Sequence, residues 1–345
     1  MTLPKVGLYD DDRFLDHDAG PGHPERPERL EAVRRGLAGA GLTGRCLPRE
    51  AREASREELG RVHAPGHVSR VAASEGRTVR FDADTQAGPR SYAAALLAAG
   101  AVSDAVERVL AGDLDRALCL VRPPGHHAEA DRVMGFCLFN NVAVAAAAAL
   151  ARGLERVMVV DFDVHHGNGT QQIFESEPRV LYLSSHAYPF YPGTGALGEV
   201  GEGAGRGYTV NLPMPAGLGD AEYARVYREV VEPIGRAFDP QLVIVSAGFD
   251  AYYRDPLAGM GLTRAGYRAL TDVCLRIAGG AAGGRVVFAL EGGYDLTGLA
   301  ECSAEMAELA LGGAPPEPIP GDVSRADELL AFYRRGLRDH WPALG

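Results

Sequence analysis

Residues 161–171, with the sequence DFDVHHGNGTQ, concentrate side chains that bind metals and move protons. They follow the apolar run 157–160, which is typical of a buried strand. Side chains two residues apart on a strand point to the same face, so Asp161, Asp163 and His165 are predicted to lie together. Grouping such residues is costly for structure alone, whereas carboxylate oxygens and an imidazole nitrogen suit a divalent transition metal. The segment therefore predicts a metal enzyme.

Two adjacent histidines, His126 and His127, follow another apolar run in the motif RPPGHH. Prolines and glycine favour a stiff turn, and neighbouring imidazoles can serve as a general base and its electrostatic partner. Taken singly, each histidine would more often be a hydrogen-bonded structural residue. Their position directly after a predicted strand favours catalysis, because ligands of open α/β sheets bind beyond the carboxyl ends of the strands.

Asp250 and Tyr294 follow two further apolar runs, in the motifs SAGFD and EGGY. Asp250 can supply a third metal ligand and leave a fourth position open for water and substrate, as in catalytic zinc sites. By itself it is explained equally well as a helix cap or loop residue. The glycines before Tyr294 permit a tight turn that places a phenol at the mouth of a crevice, although a packed aromatic residue is the commoner reason for such a motif.

The elements that must position these residues alternate along the chain as short apolar runs and helical stretches, which is typical of a parallel sheet covered on both faces. We therefore expect an α/β fold, a three-layer α/β/α sandwich with a central, mostly parallel sheet. Strands are predicted in KVGLYD, ALCLV, RVMVV, RVLYLSSH, QLVIV and RVVFAL. Helices are predicted at about 26–40, 91–111, 139–152, 218–238, 263–280, 298–311 and 324–337. The proline-rich residues 312–322 are predicted to be a linker, and residues 1–345 to form one domain.

Composition narrows the class of protein. The formal charge of −11 over 345 residues disfavours direct binding to nucleic-acid phosphates and is mildly favourable for cationic ligands, although solubility alone explains it better. Five cysteines without a CxxC motif predict neither a disulfide framework nor a thiolate zinc site. The sequence contains no apolar run of membrane-spanning length and begins with no signal-peptide pattern, so we expect a cytoplasmic protein that does not bind a membrane.

Seven ordered motifs resemble those of the histone deacetylase superfamily, which includes acetylpolyamine amidohydrolases and the acetoin-utilisation deacetylases of bacteria. They are GHPERPERL at 22–30, RPPGHHA at 122–128, GFCLFNN at 135–141, DFDVHHGNGTQ at 161–171, YPFYPGTG at 188–195, SAGFDA at 246–251 and LEGGYD at 290–295. The resemblance covers most of the chain, and we interpret it as that of a bacterial class II-like member. It implies an arginase/deacetylase-like fold and a metal-dependent amidohydrolase that releases acetate from an acetylated lysine side chain of a protein or from an acetylated small amine.

The resemblance also implies roles for individual residues. The implied ligands of Zn²⁺, for which Fe²⁺ or Co²⁺ are possible substitutes, are Asp163, His165 and Asp250. The implied catalytic residues are His126, His127 and Tyr294, with Asp161 and Asn168 orienting the two histidines. Implied substrate contacts are Gly135, Phe136, Tyr191 and Gly293. An implied K⁺ site comprises Asp161, Asp163, His165, Ser184 and Ser185, and the implied acetate-release residue is Arg29.

Two variations bear on the chemistry. Asn168 stands where some family members carry aspartate, so His127 is expected to be less basic, because a neutral amide stabilises the imidazolium less. Tyr191 stands where phenylalanine is frequent and adds a polar tip that would favour polar or cationic substrates. His166 receives no catalytic role.

Alternatives remain open at this stage. An arginase-like two-metal site is disfavoured because His166 and Gly167 occupy the place of an extra carboxylate. A non-catalytic acyl-lysine-binding protein is disfavoured because the ligand set, both histidines and the tyrosine are all present. The substrate stays open between protein acetyl-lysine, acetylpolyamines and other acyl amides, and Asp82 and Asp84 are either rim contacts or solvated loop acids. The sequence does not predict the oligomeric state.

Overall fold

A computed structural model describes residues 3–345, and an eight-stranded sheet lies at its centre. In chain order the strands of the molecule are β1 (Val6–Tyr9), β2 (Leu47–Arg49), β3 (Val79–Arg80), β4 (Gln86–Ala87), β5 (Arg116–Cys119), β6 (Val157–Asp161), β7 (Val180–Ala187), β8 (Thr209–Met214), β9 (Leu242–Ala247) and β10 (Val286–Leu290). The sheet has the order β2-β1-β5-β10-β9-β6-β7-β8, and all its neighbouring strands are parallel. Strands β3 and β4 form a separate antiparallel pair. The predicted parallel sheet is confirmed.

Helices cover both faces of this sheet. They are α1 (Glu28–Gly39), α2 (Arg56–Leu59), α3 (Pro65–Ala72), α4 (Ser91–Ala111), α5 (Asn141–Ala151), α6 (Asn168–Phe174), α7 (Asp220–Val226), α8 (Glu232–Phe238), α9 (Arg264–Ala278), α10 (Leu296–Ala310) and α11 (Ser324–Leu337). Helices α4 and α5 pack against each other and against the central strands, and α1, α10, α9 and α7 pack in succession in the other layer. The three-layer α/β/α architecture is confirmed.

Strands β6, β9 and β10 are buried along their whole length because both sheet faces are covered. Every residue of β6, β9 and β10 is buried, which explains why their sequences are nearly continuous apolar runs rather than alternating ones. One hydrophobic core, from Val6 in β1 to Leu344 near the C-terminus, connects the two helical layers through the sheet. All five cysteines are buried and unpaired, in agreement with the expectation of no disulfide framework.

The predicted helices all form, with ends within three residues of those expected, and residues 312–322 form neither helix nor strand. The segment predicted at 218–238 consists of α7, a π-helical turn at Tyr227–Val231 and α8. Strands β2 and β8 were not predicted, because both lie at sheet edges and both contain proline, which is unusual inside a central strand. Helices α2, α3 and α6 were also missed.

Strand order determines where the functional loops lie. The neighbours β5, β10, β9 and β6 occupy the middle of the sheet, and the four motifs singled out above follow these strands. Their carboxyl ends meet at one edge of a parallel sheet, so their loops converge. Within residues 3–345, none of the helices combines the length and apolar character needed to cross a membrane. Residues 1 and 2 of the predicted domain 1–345 lie outside the described residues.

Candidate active site

Asp163, His165 and Asp250 come together where β6 and β9 end. One possible ligand atom from each lies within 4.8 Å of the others. Asp163 and Asp250 are buried, and His165 is 8% exposed. Nδ1 of His165 lies 3.1 Å from Oδ1 of Asp163 and 3.0 Å from Oδ2 of Asp250. Two carboxylates and one imidazole converging on one point provide the donor set that catalytic zinc sites use.

Backbone contacts hold the two carboxylates of this cluster. The backbone N–H of Gly292 donates to Oδ2 of Asp163 (2.8 Å), and that of Val164 donates to Oδ1 of Asp250 (2.9 Å). A Cβ atom on Gly292 would lie 2.3 Å from Oδ2 of Asp250, and one on Gly248 would lie 2.0 Å from Oδ2 of Asp163. Glycine is therefore required beside both carboxylates, and the residues present fit a divalent ion.

The electrostatics of the cluster also suit a cation. Burial alone would raise the pKa of Asp163, but the charge of His126 and the hydrogen bond from His165 lower it below the ordinary range. Burial and the charge of Asp163 raise the pKa of Asp250 to about 7. Crowding the two carboxylates thus disfavours a full negative charge on both, and a bound divalent cation relieves that repulsion.

The structure places each histidine of the RPPGHH motif against a different partner. Nδ1 of His126 lies 3.0 Å from Oδ2 of Asp161. Nδ1 of His127 lies 2.8 Å from Oδ1 of Asn168, whose Nδ2 donates to Oε1 of Glu129 (2.7 Å). Because Asn168 donates to Glu129, its oxygen faces His127 and accepts from Nδ1–H. This tautomer leaves Nε2 of His127 free to accept a proton.

The two histidines are driven to different protonation states. Burial disfavours the charged form of His126, but the charges of Asp161 and Asp163 outweigh it and raise the pKa of His126 to about 10. Burial, together with the positive charges of His126 and His165, lowers the pKa of His127 well below its ordinary value. His127 is therefore the neutral imidazole of the pair, as a general base must be.

Glu291 is a buried carboxylate behind the histidines that sequence reasoning quoted in a motif but gave no role. Its Oε2 accepts from the backbone N–H of Gly125 (2.6 Å) and His126 (3.2 Å), and its Oε1 accepts from Oγ of Ser246 (3.1 Å). It therefore joins the loops after β5 and β10 to strand β9. Its position in LEGGYD was the only signal in the sequence.

A pocket of about 220 Å³ leads to the metal-ligand cluster. Its lining residues are Asp84, Pro124, His126, His127, Gly135, Phe136, His165, Phe190, Tyr191, Leu257, Gly292 and Tyr294. Tyr191 lies edge-on to His127, with ring centroids 5.3 Å apart, and Phe190 stacks on His165 at 5.6 Å. Phe136 contacts the ring of Tyr294 at 6.0 Å in a T-shaped arrangement. Sequence reasoning missed Phe190 and Leu257 as wall residues.

Glycine at position 135 allows the wall to approach the histidines. Gly135 has φ +58°, and a Cβ atom there would lie 2.3 Å from Cδ2 of His127. The next residue, Phe136, also has positive φ (68°), a strained conformation for a residue with a side chain. Its backbone N–H donates to Oγ1 of Thr85 (3.1 Å). This strained turn places the Phe136 side chain in the pocket wall.

Arg29 lies beneath the loop that carries Tyr294 rather than in the pocket wall. Its guanidinium is fully buried, lies 4.9 Å from the Tyr294 ring centroid, and donates to the carbonyl oxygens of Glu291 and Gly293. Nη1 also contacts Glu25 at 3.0 Å. The pocket is lined by Gly292, whereas Gly293, the predicted substrate contact, binds Arg29 through its carbonyl.

Of the predicted K⁺ residues, Asp161 ends β6 and Ser184 and Ser185 lie in β7, whereas Asp163 and His165 belong to the metal-ligand cluster. Ser184 in β7 is paired in register with Asp161 in β6, and its hydroxyl lies 2.9 Å from Nδ1 of His186. Oγ of Ser185 lies 2.7 Å from the Tyr227 hydroxyl. The two serine hydroxyls therefore contact different side chains.

His166, which received no role from the sequence, contacts the loop that carries Phe190 and Tyr191. Its two ring nitrogens lie 2.8 Å from Oγ1 of Thr194 and 2.9 Å from Oε1 of Gln171. Glu199 accepts from Nε2 of Gln171 (2.7 Å) and from the backbone N–H of Gly195 (3.0 Å). These contacts attach the aromatic loop 188–199 to α6. No spacing rule in the sequence indicated Glu199, because its partners come from two separate segments.

Comparison with known proteins gives consistent matches over nearly the whole chain. Residues 23–310 match the model of the histone deacetylase domain. The chain is 46% identical to histone deacetylase 15 of Arabidopsis thaliana over 97% of its own length and 62% of that protein. It is 43% identical to the polyamine deacetylase HDAC10 of Homo sapiens over 93% of its length and 50% of that protein. The chain therefore spans about half to three fifths of these curated relatives.

Two further matches have closer overall lengths. A probable deacetylase of Archaeoglobus fulgidus is 39% identical over 85% of this chain and 82% of that protein. The crystal structure of the HDA15 HD domain superposes with a TM-score of 0.92 and 42% identity, covering 99% of this chain and 96% of that one. The relatives come from a plant, an animal and an archaeon, so they do not support the finer prediction of a bacterial class II-like member.

Proposed function

The chain belongs to the histone deacetylase family, and from this premise we propose that it is a zinc-dependent deacetylase that hydrolyses the amide of an acetylated lysine or another acetylated amine to acetate and free amine. The observation that carries the proposal is the convergence of Asp163, His165 and Asp250 at the end of an aromatic-walled pocket that also contains His127 and Tyr294. Asp163, His165 and Asp250 would hold the ion. A divalent ion bound there supplies Lewis acidity, which polarises the amide carbonyl and lowers the pKa of water toward about 7.

His127 acts as the general base and then as the general acid. Asn168 fixes its tautomer with Nε2 free, and burial keeps the ring neutral, so it can take a proton from the attacking water. It then donates that proton to the leaving amine, a transfer typically worth about a hundredfold to ten-thousandfold in rate. His126, held positive beside Asp161, stabilises negative charge that develops in the pocket.

Tyr294 donates its hydroxyl to the carbonyl oxygen as negative charge develops there. Burial raises the pKa of Tyr294 well above its ordinary value, so the phenol remains a donor at neutral pH. A donor preorganised for the oxyanion typically contributes about a hundredfold to a thousandfold. Phe136 and Tyr191 line the approach, where the methylene chain of a substrate lies between their rings.

The residues that line the pocket are compatible with two classes of substrate. Leu257 and Phe190 give the pocket apolar surface for an acyl-lysine side chain, whereas Asp84 supplies a carboxylate that favours a cationic acetylpolyamine. A panel of acetyl-lysine peptides, acetylpolyamines and longer acyl amides distinguishes them by kcat/KM. A K⁺ ion near Asp161 and Ser184 is part of the proposal and is tested by the dependence of turnover on K⁺ against Na⁺.

The hydrolytic proposal is tested with the zinc-loaded protein and an acetyl-lysine peptide. His127→Ala and Tyr294→Phe should each lower turnover by about a hundredfold while the metal content stays unchanged. His340→Ala, a histidine outside the pocket, is the matched control and should keep normal turnover. Unchanged turnover in both pocket variants contradicts the proposal. Peptide binding without acetate release from the unaltered protein indicates the alternative, a non-catalytic acyl-lysine-binding protein.

A further inference from the structure

Asp255 is a buried carboxylate beside the loop that carries Tyr294, and it is only 6% exposed. Its Oδ2 accepts from the backbone N–H groups of Tyr294 (2.6 Å) and Asp295 (3.1 Å). Its Oδ1 accepts from the backbone N–H of Leu257 (3.0 Å), a residue of the pocket wall. One side chain thus joins the phenol-bearing loop to the segment that carries Leu257 in the pocket wall.

We propose that Asp255 is a positioning residue, which holds Tyr294 at the depth where its hydroxyl reaches the substrate carbonyl and sets the place of Leu257 at the rim. The inference deepens the proposed function and rests on it, because it requires the phenol to act in the reaction.

The loop has anchors on two sides, and they act on different atoms. From one side, Arg29 donates to the carbonyl oxygens of Glu291 and Gly293. From the other side, the carboxylate of Asp255 accepts a hydrogen bond from the backbone N–H of Tyr294 itself. Gly293, between the two anchors, has φ +112°, a conformation that glycine adopts without strain. Without Asp255, the backbone at Tyr294 would be free to rotate about this glycine.

The remaining contacts of Tyr294 do not replace this anchor. Its ring lies 4.9 Å from the Arg29 guanidinium carbon and 6.0 Å from the centroid of Phe136. Contacts with the face and edge of a ring tolerate sliding, whereas hydrogen bonds to an ionised carboxylate are short and directional. A displacement of about 1 Å in a reacting group can cost about a hundredfold in rate, so the backbone anchor is expected to affect turnover.

Asp255→Asn tests the proposal, because whichever way the amide turns, an N–H group faces backbone N–H donors. The experiment combines this variant with Tyr294→Phe in a double-mutant cycle on the zinc-loaded protein, with kcat and KM measured on an acetyl-lysine peptide. We expect Asp255→Asn to lower kcat about tenfold when Tyr294 is intact and less than twofold when the hydroxyl is already absent. A higher KM in both backgrounds is expected from the altered rim at Leu257.

Asp220→Ala is the control for loss of stability, because Asp220, the first residue of α7, also accepts with both carboxylate oxygens, from the backbone N–H (2.7 Å) and hydroxyl (2.6 Å) of Thr263, and alanine removes both acceptors. It should lower the melting temperature comparably and leave kcat unchanged. Should Asp255→Asn fail to fold, Asp255→Glu keeps the charge, moves the carboxylate by one methylene and enters the same cycle.

The outcomes separate the two proposals. Equal losses of kcat from the Asp255 variant in both backgrounds, with Tyr294→Phe itself about a hundredfold slower, overturn the positioning role and leave the proposed function intact. Full turnover in Tyr294→Phe overturns the role of the phenol, and the inference about Asp255 falls with it.

Discussion

Asn168→Asp should destabilise the protein, because Asn168 lies between an acceptor and a donor that only an amide can satisfy. Its Oδ1 faces His127 at 2.8 Å, and its Nδ2 donates to Oε1 of Glu129 at 2.7 Å. Aspartate would keep the first contact and replace the second with two carboxylate oxygens facing each other. Asn168 is 6% exposed and the Glu129 side chain 16% exposed, so solvent screens this pair poorly.

The magnitude follows from these distances. Two unit charges about 4 Å apart repel by about 4 kcal/mol at an effective dielectric constant of about 20. The lost hydrogen bond to a charged group is worth about 1.5 to 3 kcal/mol. Arg132, which binds Glu129 at 2.7 Å, compensates part of the repulsion, and proton uptake by the pair limits it further. We therefore expect the free energy of unfolding to fall by about 2 to 4 kcal/mol at pH 7.

Urea denaturation of four proteins measures this effect: the unaltered chain, Asn168→Asp, Glu129→Gln and the double variant. In the double variant the donor and acceptor are exchanged, since the new amide donates to the new carboxylate, and most of the lost stability should return. The double variant also places a carboxylate against Nδ1–H of His127, and this charge raises the pKa of that ring and moves the acidic limb of the pH–rate profile to higher pH. Equal stability of Asn168→Asp and the unaltered chain, or no recovery in the double variant, refutes the reasoning.

Three further predictions concern separate parts of the molecule. Asp250→Ala leaves only two of the three ligand residues, so metal analysis after dialysis should find the ion lost, and full occupancy would remove Asp250 from the ligand set. Gly135→Ala should lower turnover about a hundredfold, because its Cβ would lie 2.3 Å from the His127 ring. Gly41→Ala, also at positive φ (+68°) but with nothing within 4 Å of a Cβ, should leave turnover unchanged; equal turnover in both variants contradicts the steric argument. Burial would raise the pKa of Glu58, but hydrogen bonds from the Arg52 side chain and the Ser55 backbone lower it to about 2. Glu58→Gln should therefore cost about 2 kcal/mol, allowing for screening at the partly exposed arginine, with the full cost present above about pH 4.5 and lost as the pH falls toward 2. A stability difference that does not change with pH contradicts this linkage.

Local sequence was informative wherever burial imposes a pattern. The runs around Val157 and Leu242 had to be apolar throughout because helices cover both faces of their strands, and this pattern identified both the strands and the sheet type. The edge strand β8 escaped prediction because Asn211 and Pro213 interrupt its apolar run, although all of its residues are buried.

The residues of the candidate site also differ in whether the local sequence could identify them. Asp163 and His165 lie within a single motif, and their residue types and spacing identified them as a pair of ligands. The predicted strand, however, ends at Asp161, whose carboxylate contacts His126 instead of joining this pair. Glu291 and Asp255 could not be assigned in this manner. Their partners are backbone N–H groups of remote loops, and a backbone N–H group is present at every non-proline residue and leaves no signature in the sequence.

The sequence by itself determined which chemical groups are available, a set of carboxylates, imidazoles and a phenol that follow apolar strands, because residue type and spacing are properties of the chain. The tertiary structure decided how these groups are used. Strand order places β5, β10, β9 and β6 side by side, which unites motifs as distant as His127 and Tyr294 around one pocket. The tertiary structure also sets the protonation states of these groups, since the neutral state of His127 results from burial and from the charges of its neighbours in space.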